Sequence, residues 1–160
     1  MKDDITLLTF ALEPVRYAIS IRQVREVVPL PELTPLADAP QFVRGIFNLR
    51  GKLVTAIDLR QRLELPRRAW DRKTAVLIAP FDEKLFGLIV DQALSLVHLS
   101  DQQIEPAPDF SSFLGSRQRQ FLLGVAKDSG QLMPILNPER IFAVMEAWEL
   151  GEWQVADGHE

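Results

Sequence analysis

The feature that most constrains this chain is that its two halves repeat each other. Sliding the sequence by 79 residues sets Gly45-Ile46 on Gly124-Val125, Gly51 on Gly130, Leu53 on Leu132, Ile57 on Leu136 and Asp58 on Asn137. Both copies therefore read as strand, glycine turn, strand, then an Asx residue opening a helix. A second offset, of 69 residues, sets Ile19, Ile21, Val27 and Val28 on Leu88, Val90, Leu96 and Val97. Apolar matches alone come cheaply, because strands share a period and a composition. Glycines and caps in register are harder to produce by chance, so the chain reads as a duplicated β unit. Two small barrels would let many short strands avoid exposed edges.

Local signals fill in the unit. Leu8, Phe10 and Leu12 alternate with Thr9 and Ala11, and Glu13-Pro14-Val15-Arg16 turns the chain back through Tyr17, Ile19 and Ile21. That is a hairpin. Residues 23–28 read as one helical turn, stopped by Pro29 and Pro31. Residues 29–41 hold four prolines and read as an extended connector. Stretches 45–47 and 53–57 are strands about the Arg50-Gly51 turn. Stretches 75–79 and 85–90 are apolar throughout, which implies burial on both faces. Ser100-Asp101-Gln102-Gln103 is a capping-box pattern that Pro106 closes. A longer helix opens with Asn137 as N-cap and Pro138 at its first position; Ile141, Met145 and Trp148 share a face, and Gly151 ends it. The expected organisation is one domain over 1–154, with subdomains at about 7–70 and 71–150 and a disordered tail at 155–160.

Composition narrows the classes of function. There is no cysteine, hence no disulfide, thiolate zinc site or cysteine nucleophile. The start, Met1-Lys2-Asp3-Asp4, is acidic and unlike a secretory signal, and no apolar run approaches ~18 residues, so a cytoplasmic location is expected. The net charge of −4 argues against global attraction to nucleic acid. The charge is uneven, however. Residues 44–73 carry nine basic side chains against Asp58, Glu64 and Asp71, while residues 139–160 carry six acidic ones against Arg140. The basic stretch reads as a solvated loop or as a docking patch for an acidic protein surface. An alternative is a β-barrel module that binds nucleic acid through residues 44–73, though only Trp70 offers an aromatic there.

Catalytic chemistry is hard to assemble. His98 and His159 are the only histidines and form no ligand pair or triad. No phosphate-binding loop or dinucleotide fingerprint occurs. Asp58 and Asp91 are conceivable as a general acid and base, but Asp58 reads better as a helix cap and Asp91 as a polar stop after a strand. The expectation is a non-enzymatic binding module with no cofactor and no metal.

The string Ala39-Pro40-Gln41-Phe42-Val43-Arg44-Gly45-Ile46-Phe47-Asn48-Leu49-Arg50-Gly51, followed by Ile57-Asp58-Leu59-Arg60, resembles the CheW family of bacterial chemotaxis coupling proteins. So do Gly87-Leu88-Ile89-Val90-Asp91, the spaced residues Val97, Leu99, Gln103, Ile104 and Pro106, and the ending Ile135-Leu136-Asn137. The match runs in order over about residues 7–145. It implies two SH3-like five-stranded β-barrel subdomains with short helices and a C-terminal helix. It also implies an adaptor between the cytoplasmic tip of a methyl-accepting chemoreceptor and the regulatory domain of a CheA-type histidine kinase, recruited to membrane-associated arrays. Carried over by position, Arg50, Val24, Gly45, Val76 and Leu96 would meet the receptor, and Glu26 and Val27, on a short helix, the kinase.

Overall fold

The structure is a computed structural model that describes residues 4–106 and 116–148. Eleven strands are described: β1 (Asp4–Leu12), β2 (Val15–Ser20), β3 (Glu26–Pro29), β4 (Val43–Leu49), β5 (Lys52–Asp58), β6 (Ala75–Phe81), β7 (Lys84–Val90), β8 (Gln92–Ser100), β9 (Ile104–Pro106), β10 (Leu122–Asp128) and β11 (Gln131–Leu136). Helix α1 (Leu59–Arg62) follows β5, α2 (Ser116–Arg119) precedes β10, and α3 (Pro138–Trp148) follows β11. Single 3-10 turns lie at Ile21–Gln23 and Asp101–Gln103. The protein is thus mainly β with few short helices.

The strands form two sheets, one in the order β8-β1-β2-β11-β10-β9 and one in the order β3-β6-β7-β5-β4. Each sheet closes toward a barrel. In the six-stranded sheet, a single 3-10 turn joins the opposite edge strands β8 and β9. In the five-stranded sheet, Thr34 leaves β3 and bridges to Ile46 on the far edge strand β4. The strand counts differ for that reason: the partner of β10 is a true strand, β9, whereas the partner of β4 is a single bridge.

The repeat survives in detail. Offset by 79 residues, β4 falls on β10, β5 on β11 and α1 on the start of α3. The strand irregularities at Val43/Gly45 and Leu122/Gly124 coincide, as do the bonds Asp58 N to Phe42 O and Asn137 N to Phe121 O, each 2.7 Å. A side chain at Gly45 would place its Cβ 2.5 Å from Thr34 O, and at Gly124 2.3 Å from Glu105 O. Both glycines exist so that another backbone can pass close by.

The expected seam near residue 70 is nevertheless wrong as a division between sheets. The β1–β2 hairpin of the first copy pairs into the sheet built from β8–β11, and the β6–β7 hairpin of the second copy pairs into the sheet built from β3–β5. The copies have exchanged hairpins. β2 runs parallel to β11 with Ala18 opposite Ile135, and β7 runs parallel to β5 with Gly87 opposite Ala56, which are the same positions in the repeat. The exchange explains the continuously apolar hairpins. Phe10, Leu12, Tyr17 and Ile19 face a core shared between the sheets with Leu77, Phe86, Leu88 and Phe142, while Leu7 and Ala18 line the six-stranded sheet's own core. Strands buried on both faces have no polar side.

The inner cores are packed by compensation. Phe47, Val54 and Ala56 in one sheet occupy the places of Ala126, Met133 and Ile135 in the other. Room for the Phe47 ring comes from Gly87, where an added Cβ would stand 2.5 Å from Val76 Cγ1 and 3.6 Å from Phe47 Cε1. Total volume is conserved while its distribution is not.

Two polar devices tie the sheets together. Arg60, on α1, donates to Asp91 Oδ2 at 2.7 Å, to Glu13 O at 3.0 Å and, from Nε, to Pro66 O at 2.8 Å. Asp91 also accepts from Glu13 N at 2.8 Å. This buried pair joins the β1–β2 turn to the other sheet's helix. Arg62 lies between the rings of Phe42 and Phe121, 4.8 and 4.5 Å away, and donates to Ile141 O at 3.3 Å. Those rings are partners under the repeat, so Arg62 sits where the two copies meet. Burial holds the Arg62 guanidinium below its ordinary pKa, opposed by nearby Glu64.

Candidate functional site

The β4–β5 hairpin closes through a two-residue loop, because Leu49 pairs with Lys52. One of the two loop forms that match strand twist, type I′, takes positive φ at both central residues. Arg50 has φ +50° and Gly51 φ +89°; in the β10–β11 hairpin Ser129 has +54° and Gly130 +82°. Glycine accepts this freely. Arginine does so at a cost of roughly 1 kcal/mol, and strain held on a polar side chain is a functional signal. Asn48 helps by accepting from Gly51 N at 2.8 Å.

The Arg50 side chain is 70% exposed and forms an ion pair with Glu26. Arg50 belongs to the β4 edge of its sheet and Glu26 to the β3 edge, so the pair spans the closure of the barrel. Glu26 lies not on a helical turn, as expected, but on a strand: β3 pairs with β6, Glu26 opposite Ile78 and Val27 opposite Leu77. The β-branched run Val24, Val27, Val28 favours that pairing over a helix, and the helical turn forms earlier, at Ile21–Gln23. Val27 is 40% exposed on this edge. Beside it a groove of about 480 Å3 is lined by Leu53, Thr55, Pro80 and Leu85 together with the charged Arg25, Lys52, Glu83 and Lys84. Glu83 and the neighbouring Asp82 take positive φ as Arg50 does. The conformationally strained tips thus gather at one end of this sheet.

Three expected contact residues are not at the surface. Val76 is fully buried inside the five-stranded sheet, Val24 lies in the shared core, and Gly45 is covered by Thr34. They shape the barrel and offer nothing to touch. Leu96 is 52% exposed, but on edge strand β8 of the other sheet, beside Leu94. Strand β8 is not among the strands expected from the sequence; its Leu94 and Leu96 alternate with Ser95, yet both are exposed.

The basic stretch is less free than its sequence suggests. Arg44 pairs with Asp58 at 3.2 Å and stacks over Trp70 at 4.6 Å, Arg60 is buried against Asp91, and Arg62 grips α3. Asp58 also caps α1 by accepting from Gln61 N at 3.3 Å. Asp58 and Asp91 are thus each committed to separate arginines, and the acid–base pairing imagined for them does not form. His98 accepts or donates to Thr6 Oγ1 at 2.9 Å on the exposed face; His159 lies outside the described residues. Among the described residues no group of three or more His, Asp or Glu could hold a metal ion, and no helix is long and apolar enough to cross a membrane.

Residues 6–146 match the family model of the CheW-like domain. The chain is similar to the chemotaxis protein CheW of Klebsiella aerogenes, 30% identical over 139 residues that cover 87% of this chain and 82% of that one. It is also similar to the chemotaxis protein CheW of Rhizobium meliloti, 27% identical over 136 residues, covering 85% of this chain and 86% of that one. Among solved structures, the scaffolding protein TtCheW from Thermoanaerobacter tengcongensis superposes with a TM-score of 0.76 at 28% identity, covering 84% of this chain and 89% of that chain.

Proposed function

Since this chain belongs to the CheW-like domain family, we propose that it is a non-enzymatic adaptor coupling the cytoplasmic tip of a chemoreceptor to a CheA-type histidine kinase. The observation that carries the reading is Arg50: exposed, held in a left-handed turn that glycine would fill more cheaply, and replaced by Ser129 in the copy that needs only the turn. A guanidinium so placed offers a planar fork to carboxylate or carbonyl oxygens. The adjoining groove, lined by the apolar Leu53 and Leu85 and by Arg25 and Lys52, suits one face of an amphipathic receptor helix. The Glu26–Val27 edge remains the candidate for kinase contact, presented as a strand. Glu26 pairs with Arg50, so receptor engagement of Arg50 would release Glu26. Leu96 offers a second apolar contact on the other sheet.

The test is direct binding. The purified protein should bind a receptor-tip peptide and a kinase regulatory domain from its own organism. Arg50→Ala keeps the turn's backbone demand and should weaken receptor binding about tenfold, or 1.4 kcal/mol. Its thermal unfolding midpoint should stay nearly unchanged. No binding to any such receptor or kinase would overturn the reading, and a large loss of stability in Arg50→Ala would make Arg50 structural.

A further inference from the structure

The stretch between α1 and β6 takes no part in the Arg50 edge. It carries Arg67, Arg68, Arg72 and Lys73 against Glu64 and Asp71. With Arg44 it forms a cleft of about 330 Å3, lined by Arg44, Asp58, Arg67, Arg68, Ala69 and Trp70. The carboxylates there are already used: Asp58 holds Arg44, and Asp71 accepts from Lys73 N at 2.8 Å to form its own turn. Among the described residues no carboxylate stands within ion-pair distance of Arg67, Arg72 or Lys73. Trp70, 37% exposed, provides an apolar plate among these cations. Such a surface suits an acidic chain that also carries an apolar side chain.

The sequence supplies one. Residues 149–160 hold Glu149, Glu152, Asp157 and Glu160, no lysine or arginine, and Trp153. They also start within reach. Arg62 grips the first turn of α3, and the basic stretch begins at Pro66, four residues beyond it. Helix α3 runs from Pro138 to Trp148, about 16 Å at 1.5 Å per residue. Twelve extended residues span up to about 40 Å. Whichever way α3 points, the distal residues of 149–160 can return to the cleft. We propose that they dock there as a tethered acidic ligand, their carboxylates on Arg67, Arg72 and Lys73 and Trp153 toward Trp70. Tethering makes the local concentration of order millimolar, so ion pairs individually weak suffice. The contact is salt-sensitive, and an acidic partner must displace it.

The experiment uses the full isotope-labelled chain and follows the Trp70 indole N–H signal, assigned with Trp70→Phe, together with the amides of residues 66–73. The comparison chain carries Glu149→Gln, Glu152→Gln, Asp157→Asn and Glu160→Gln. At about 20 mM salt these signals should differ between the two chains, and raising salt to about 1 M should bring the unaltered chain to the altered chain's positions. A synthetic peptide of residues 149–160, added to the altered chain, should move the same signals back, with affinity falling at least about fivefold between 20 and 200 mM salt. Identical signals in the two chains at low salt would overturn the proposal. So would signals moved by an RNA oligonucleotide and not by the peptide, which would make the cleft a nucleic-acid site.

Discussion

The turns at Arg50-Gly51 and Ser129-Gly130 are the same object built twice. They share loop length, both positive φ angles, the upstream strand irregularity and the helix cap that follows. Everything the barrel requires is present in both. What differs is the side chain at the first turn position: arginine spanning to Glu26 in one, serine hydrogen-bonded to Asp128 in the other. Duplication thus acts as an internal control, separating what the fold demands from what has been added to it. The same contrast applies at other paired sites, and each offers a way to test it.

The largest effect is expected where the copies differ inside the molecule. Arg60 is buried against Asp91, whereas its counterpart Glu139 is exposed. Arg60→Ala would leave Asp91 only the Glu13 N–H and the longer 3.7 Å contact with Arg68, and should cost about 3 kcal/mol in chemical denaturation. Glu139→Ala should stay within about 0.5 kcal/mol. Equal costs would mean that Arg60 does not tie the sheets together.

Gly45 and Gly124 should behave alike. Alanine at either meets a carbonyl oxygen at 2.5 or 2.3 Å, and a loss of about 2–3 kcal/mol is expected at each, read as the urea midpoint. A tolerant Gly124 would show that β9 can move aside where the Thr34 bridge cannot.

The turns themselves come next. Ser129→Gly removes left-handed strain without giving up an ion pair and should stabilise by about 1 kcal/mol with receptor binding intact. Arg50→Gly gains similar relief but loses the exposed pair with Glu26, so stability should change by less than about 1 kcal/mol while receptor binding falls. If both variants bound receptor equally well, the asymmetry between the turns would carry no function.

The smallest effect concerns Tyr17, whose place in the five-stranded sheet is taken by Phe86. Burial raises the phenol pKa above its ordinary value of 10.0, opposed by the charge of Arg60. The folded state therefore holds that proton more tightly than the unfolded chain does. The contribution is complete below pH 10.0 and is lost as pH rises from there through the folded pKa. Tyr17→Phe should remove this part of the alkaline loss, seen as a flatter unfolding midpoint above about pH 10.

Much of this was legible beforehand. The repeat, the glycine turn, the Asx caps at Asp58 and Asn137 and the capping-box residues Ser100 and Gln103 are local signals, set by backbone geometry within a few residues. Gln103 Oε1 accepts from Ser100 N at 3.0 Å as that motif requires. The exposure of Arg50 followed from its place in a two-residue loop. The Asp91–Arg60 pair did not, because its members are far apart in the chain and polar residues are ordinarily assigned to the surface. Nor did the burial of Val24, Gly45 and Val76, since an apolar residue reads the same whether it lines a groove or fills a core.

What the sequence by itself determined is the unit: two copies of hairpin, connector, hairpin and capped helix, with an arginine at the turn of one copy and a serine in the other. Only the tertiary structure decided which hairpin belongs to which sheet. Both assignments satisfy the same periodicities and turns, so no local signal separates them. The choice rests on the shared core around Phe10, Phe86 and Phe142, which forms only when each unit lends its hairpin to the other. Burial of both faces of those hairpins is the free energy that settles it.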